Sequence, residues 1–132
     1  MTERPTAPIS MNELTDAVLP LVTAYGRGGF TIGGKRWETP ILVHREGVEP
    51  LAVSGIADLS PTDFAPLLAG RGEIDLLLLG GGARLVQPPA ALRTALREAG
   101  IGVEAMDSGA AARTFNVLLL EARRVAVVLI PF

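Results

Sequence analysis

Apolar and polar positions along this chain follow two rhythms. Between Gly26 and Val53 the apolar runs are short and separated by glycine steps: Phe30 to Ile32, then Gly33 and Gly34, then Lys35 to Trp37. Glycine tolerates the positive φ that primed two-residue turns require, so a Gly-Gly step between such runs predicts a β-hairpin, and Gly28 with Gly29 carries the same signal. Ile41 to Arg45, a turn around Glu46 and Gly47, and Pro50 to Val53 repeat the pattern. This half is expected to be antiparallel. Upstream, Asn12 to Leu19 suits a helical turn or two that Pro20 ends, and Leu21 to Tyr25 reads as an edge strand.

The second half moves to longer units. Ser60 followed by Pro61 signals a helix start, Asp63 adds charge to its first turn, and Gly70 or Gly72 closes it. Ile74 to Leu79 is a continuous apolar run, Pro89 to Ala99 a helix stopped by Gly100, Ile101 to Met106 a strand, Gly109 to Ala122 a helix, and Val125 to Ile130 a final strand. Strands without polar alternation are covered on both faces, as in parallel sheets, and right-handed crossovers through the two helices place all three in one sheet. The expected fold is therefore α/β: a mixed central sheet with helices packed on it and N-terminal β-hairpins as an added layer or edge. Residues 1–13 read as a flexible N-terminal tail and 14–132 as a single α/β domain.

Composition narrows the function classes. The 132 residues are 48% apolar and 20% charged, so a compact core is affordable. Twelve basic and fourteen acidic side chains leave a formal charge of -2, which gives no field to attract nucleic acid or anionic lipid. Without cysteine there is no disulfide, thiolate metal site or cysteine nucleophile, and His44, the one histidine, lacks a second to complete the usual zinc spacings. No cofactor and no metal are expected. No secretory leader pattern and no membrane-spanning apolar run are visible, so a soluble, cytoplasmic protein, or a matrix one in an organelle, is expected.

Two junctions carry candidate chemistry. Gly80, Gly81 and Gly82 follow an apolar strand, as in dinucleotide-binding turns, but Leu85 stands where Gly-x-Gly-x-x-Gly requires its last glycine. Gln87, Pro88 and Pro89 then push the backbone out of helical geometry, so no helix amide reaches the glycines to hold a phosphate. The turn reads as a close-packed bend first and a ligand loop second. At the other junction Asp107 and Ser108 lead from strand into helix, on the same carboxyl edge as Gly80 to Arg84, where open α/β sheets bind ligands. Asp107 or Ser108 suits a helix cap; Ser108 as a nucleophile lacks both glycines of Gly-x-Ser-x-Gly, which are Met106 and Ala110 here.

On the following helix Ala111, Phe115, Leu118 and Ala122 make a buried stripe, with Ala112 and Leu119 beside it. Arg113 and Asn116 lie on a flank, either as a solvated face or, with Arg84 and Asp107, as the polar border of a crevice or partner surface; a buried Asn116 would instead fasten a loop. Leu92, Leu96 and Ala99 are the buried stripe of the preceding helix, opposite Arg93 and Arg97. Phe30, Trp37 and Phe64 read as packing and His44 as a structural or surface residue.

Four stretches, Ala24 to Thr31, Ile74 to Arg84, Leu96 to Gly102 and Asp107 to Asn116, together make the chain resemble the domain of unknown function 498 family, over nearly everything after residue 20. That family includes the mitochondrial respiratory complex I assembly factor 3 and an adipogenesis-associated domain protein. In it the glycine turn often reads Gly-Thr-Gly, the helix often carries Tyr-Asn, and some members place a cysteine where Ala112 stands; Gly81, Phe115 and Ala112 depart from those choices. The resemblance implies a three-layer α/β fold and a non-catalytic protein-interaction or assembly module whose partners are other proteins, respiratory or membrane-complex subunits among them. The alternative is a small-ligand-binding protein or weak enzyme using the crevice at the carboxyl ends of the parallel strands.

Overall fold

A computed structural model describes residues 19–70 and 73–132. The tail expected at residues 1–13, all but the last residue of the helical turn expected over Asn12 to Leu19, the domain's start at residue 14 and the alternative stop at Gly72 lie outside the described residues. The chain runs β1 (Val22–Gly26), β2 (Gly29–Ile32), β3 (Lys35–Trp37), β4 (Ile41–His44) and β5 (Gly47–Pro50), followed by 3₁₀ turns at Ile56–Asp58 and Pro61–Phe64. Then come α1 (Ala65–Ala69), β6 (Leu76–Gly80), α2 (Ala90–Glu98), β7 (Gly102–Met106), α3 (Ser108–Leu120) and β8 (Val125–Leu129).

The strands form a three-stranded antiparallel sheet, β1-β2-β3, and a five-stranded mixed sheet ordered β5-β4-β8-β6-β7. The apolar runs expected to share one sheet do so: β6 is parallel to both β7 and β8, while β4 joins β8 antiparallel. Period-two alternation sends side chains of the mixed sheet to two separate cores. Leu42, Leu77, Leu79, Ala126 and Val128 meet Phe64 of the 3₁₀ turn and Leu92 and Leu96 of α2. Ile41, Val43, Leu78, Val125, Val127 and Leu129 meet Ala111, Phe115 and Leu119 of α3 together with Phe30 and Ile32 of the small sheet. The β1-β2-β3 hairpins are thus an added layer sharing a face with α3, whereas the β4-β5 hairpin forms an edge of the mixed sheet.

Several boundaries differ from the sequence reading for local reasons. The first hairpin turns on Arg27 and Gly28, at φ 54° and 80°, and Gly29 belongs to β2. β5 covers Gly47–Pro50 rather than Pro50 to Val53, because the short loop pairs His44 directly with Gly47 and fixes the register from there. Ala122 lies outside α3 and is exposed, with φ 61°. There Arg123 N donates to Leu118 O at 2.9 Å and Ala122 N to Leu119 O at 3.0 Å, a left-handed stop of the kind glycine usually makes. Ala99 is exposed as the C-cap of α2, and Leu118 is only partly buried. The start expected at Ser60 and Pro61 is that of the 3₁₀ turn preceding α1, where Ser60 N donates to Asp63 Oδ2 at 2.8 Å.

Candidate functional site

The glycine bend and the Asp107–Ser108 bend sit side by side on the carboxyl rim of the parallel strands. Gly81 N donates to Met106 O at 2.9 Å, and Ser108 N donates to Gly82 O at 2.9 Å. The Ser108 side chain is buried and joins three strand exits: its Oγ accepts from Gly82 N at 2.8 Å and from Ile130 N at 3.2 Å, and donates to Ile130 O at 2.7 Å. The amides of Gly81 and Gly82 are therefore occupied by the protein itself. An anion seated here would have to break bonds whose loss leaves buried polar groups unpaired, at about 1 to 3 kcal/mol each.

Packing explains the glycines. A Cβ on Gly80 would stand 2.9 Å from both Ser108 Cα and Val128 O, and one on Gly81 would stand 2.5 Å from Arg84 O, where the chain folds back on itself. As the proline pair implies, α2 begins only at Ala90, away from the glycines. Ser108, with its hydroxyl proton on a backbone carbonyl and no exposed surface, is sealed from any substrate. Asp107 is the N-cap of α3, accepting from Ala110 N at 2.8 Å. Arg84 is exposed on the turn beyond the glycines.

Arg113 and Asn116 lie farther along α3, against β1. Asn116 Oδ1 accepts from Val22 N at 2.9 Å and its Nδ2 donates to Val22 O at 2.8 Å, so a side-chain amide replaces a neighbouring strand at the edge of the small sheet. It fastens the added layer to α3. Arg113 donates to the Tyr25 hydroxyl, with its guanidinium carbon 5.9 Å from the ring centroid. Of the eight candidate residues, Gly80, Gly81, Gly82, Asp107 and Ser108 form one packed junction; Arg84 backs onto Gly81 through its carbonyl with an exposed side chain, and Arg113 and Asn116 turn their side chains to β1.

Around Arg113 the surface is apolar in a way the sequence reading missed. Tyr25 is 40% exposed, Val117 54%, Leu120 55% and Phe132 41%. They are continuous: the Phe132 and Tyr25 rings lie 6.2 Å apart, Tyr25 meets Arg113, and Val117 and Leu120 follow Arg113 at helical spacing. Gly28 N donates to Phe132 O at 2.7 Å, which holds Phe132 beside the first hairpin. The signal was Val117 and Leu120, two large apolar residues on the side of α3 opposite Phe115 and Leu119.

A depression of about 580 Å³ lies at the opposite, amino end of the parallel strands, with His44, Glu49, Leu67, Ile74, Arg123 and Val125 among its lining residues. His44 Nε2 is 2.8 Å from Glu49 Oε2 there. Among the described residues no group of three or more His, Asp or Glu side chains is arranged to hold a metal ion, and no helix is long and apolar enough to cross a membrane.

Comparison with known proteins places this geometry. An uncharacterised protein of Rhodobacter capsulatus is 39% identical over 110 residues, covering 83% of each chain. The NADH dehydrogenase [ubiquinone] 1 alpha subcomplex assembly factor 3 of Danio rerio is 32% identical over 111 residues, 84% of this chain and 64% of that protein, so the match spans under two thirds of the animal protein's length. The crystal structure of an outer membrane protein from Bartonella henselae superimposes with a TM-score of 0.79 at 34% identity, covering 87% of this chain and 97% of that one. Residues 22–130 match a single family over both sheets, both rim bends and α3, and the chain belongs to that family, described as protein of unknown function (DUF498/DUF598).

Proposed function

We propose that this chain is a non-catalytic interaction module that binds other proteins during assembly of a membrane-bound respiratory complex. The observation that carries the reading is the continuous strip from Phe132 through Tyr25 and Arg113 to Val117 and Leu120: large apolar side chains left exposed on β1, after β8 and on a helix whose other face is buried. A contiguous apolar strip bordered by charge marks a binding surface more often than scattered single residues do. Its make-up, aromatic and aliphatic groups with an arginine, resembles the energetic centre of protein interfaces. The similarity to complex I assembly factor 3 of Danio rerio supplies the class of partner. A cytoplasmic site of action, or the matrix of an organelle, is part of the proposal.

Of the eight candidate residues this reading gives Arg113 a place in the docking surface, keeps Arg84 as an exposed neighbour of the rim, and assigns the rest to holding the fold. Ligand binding at the glycine rim draws no support from a bend whose amides are already bonded. The test is affinity capture of the tagged chain from its native membranes after mild solubilisation. The expected result is recovery of NADH dehydrogenase subunits with the native sequence and their loss with Val117→Asp/Leu120→Asp. Recovery of the same subunits by the double variant would overturn the reading.

A further inference from the structure

The mixed sheet has two outer strands, β5 and β7, and the small sheet has β1 and β3. Unpaired backbone along such edges invites other chains, and proteins usually block it with proline, lysine, covering groups or shortness. Three of the four edges carry such a device. Pro50 ends β5, Lys35 and Arg36 occupy β3, and the Asn116 amide saturates both backbone groups of Val22 on β1.

β7 carries no proline, lysine or covering group, and its one charge is Glu104. Gly102 N donates to Asp75 O and Met106 O accepts from Gly81 N, so Gly102, Glu104 and Met106 direct their backbone groups toward β6. By strand alternation Val103 and Ala105 direct theirs outward. Among the described residues nothing bonds to these N–H and C=O groups. Below them the edge closes, since Ile101 N is taken by Leu96 O, and above them Asp107 begins the cap of α3. The opening therefore has defined ends and room for a short extended segment.

Charge decides which segment. Glu104 is the exposed side chain at the middle of β7, between half-buried Val103 and Ala105. In an antiparallel pair the residue opposite it would occupy a non-hydrogen-bonded position, where side chains come within roughly 4.5 to 5.5 Å and like charges destabilise. A second copy of this chain, paired over the whole of β7, would set Glu104 against Glu104. We infer that the β7 edge receives an extended segment of a partner protein, paired with Val103 and Ala105 and carrying a lysine or arginine opposite Glu104. The inference rests on the reading of this chain as a protein-binding module but uses a surface separate from the α3 strip.

The probes are two capped heptapeptides, one alternating valine with lysine and the other valine with glutamate, titrated into the full-length ¹⁵N-labelled protein and followed by amide shifts and hydrogen exchange. In the free protein the Val103 and Ala105 amides should exchange far faster than those of Leu77 and Leu79. The lysine peptide should shift and protect Val103 and Ala105, and the glutamate peptide should bind about fivefold to tenfold more weakly. Glu104→Lys should reverse that preference. Ala105→Pro should abolish protection while keeping the fold, since it removes a donor that faces solvent.

Slow exchange at Val103 and Ala105 without peptide, equal binding of both peptides, or shifts confined to the α3 strip would overturn the inference. Loss of subunit capture by Val117→Asp/Leu120→Asp, with the native protein's peptides leaving Val103 and Ala105 unprotected, would sink the edge and keep the module. Capture unaffected by that double variant but lost with Ala105→Pro would uphold the edge and sink the α3 strip.

Discussion

The glycine rim and the outer face of α3 make opposite use of their residues. At the rim the amides and hydroxyl that resemble a ligand cradle are already engaged: Gly81 N with Met106 O, Gly82 N with Ser108 Oγ, and the Ser108 proton with Ile130 O. On α3 the residues with least chemistry, Val117 and Leu120, are left facing solvent. The motif that resembles a site is spent on joining three strands. The surface available to a partner is made of side chains that sequence reading assigns to cores.

The largest effect that would test this contrast is Ser108→Ala. It leaves Gly82 N–H and Ile130 C=O without their partner in a buried junction, and should cost about 2 to 5 kcal/mol of stability, measured by urea unfolding. If the rim were a ligand loop built to release its amides, the loss would be small. Asn116→Ala comes next. It frees both backbone groups of Val22 and should cost about 1 to 2 kcal/mol, with exchange at the Val22 amide accelerated more than at Leu77. A uniform change across the protein would argue against a local tether between the small sheet and α3.

Much of the architecture could be read from the chain because it is locally encoded. Continuous apolar runs gave β6 and β8, proline and glycine placed the limits of α2, and Gly33 with Gly34 made the expected two-residue turn at φ 60° and 82°. The site was less legible because its decisive bonds are remote. Asn116 finds Val22 across 94 positions and Ser108 finds Ile130 across 22, and no local period encodes either pairing. On α3, Ala111, Phe115, Val117, Leu118, Leu119 and Leu120 supply apolar residues all round the helix, so spacing alone did not separate buried Leu119 from exposed Leu120.

Two smaller changes sharpen the comparison. Ala122→Gly relieves a left-handed backbone on an exposed residue at the end of α3 and should raise stability by about 1 kcal/mol without touching either surface. Val117→Asp/Leu120→Asp should move stability by only about 0.5 kcal/mol per site, as exposed positions usually do, while removing partner capture. A large loss of stability in that variant would mean the strip is packed against something in the free protein and is not a docking face.

The most direct measurement places a photoreactive benzoylphenylalanine at Val117 in one variant and at Arg84 in another, irradiates each in native membranes and identifies the linked proteins. The account predicts adducts with respiratory-complex subunits from position 117 and none from position 84. Adducts from position 84 alone would put the working surface at the glycine rim and contradict it.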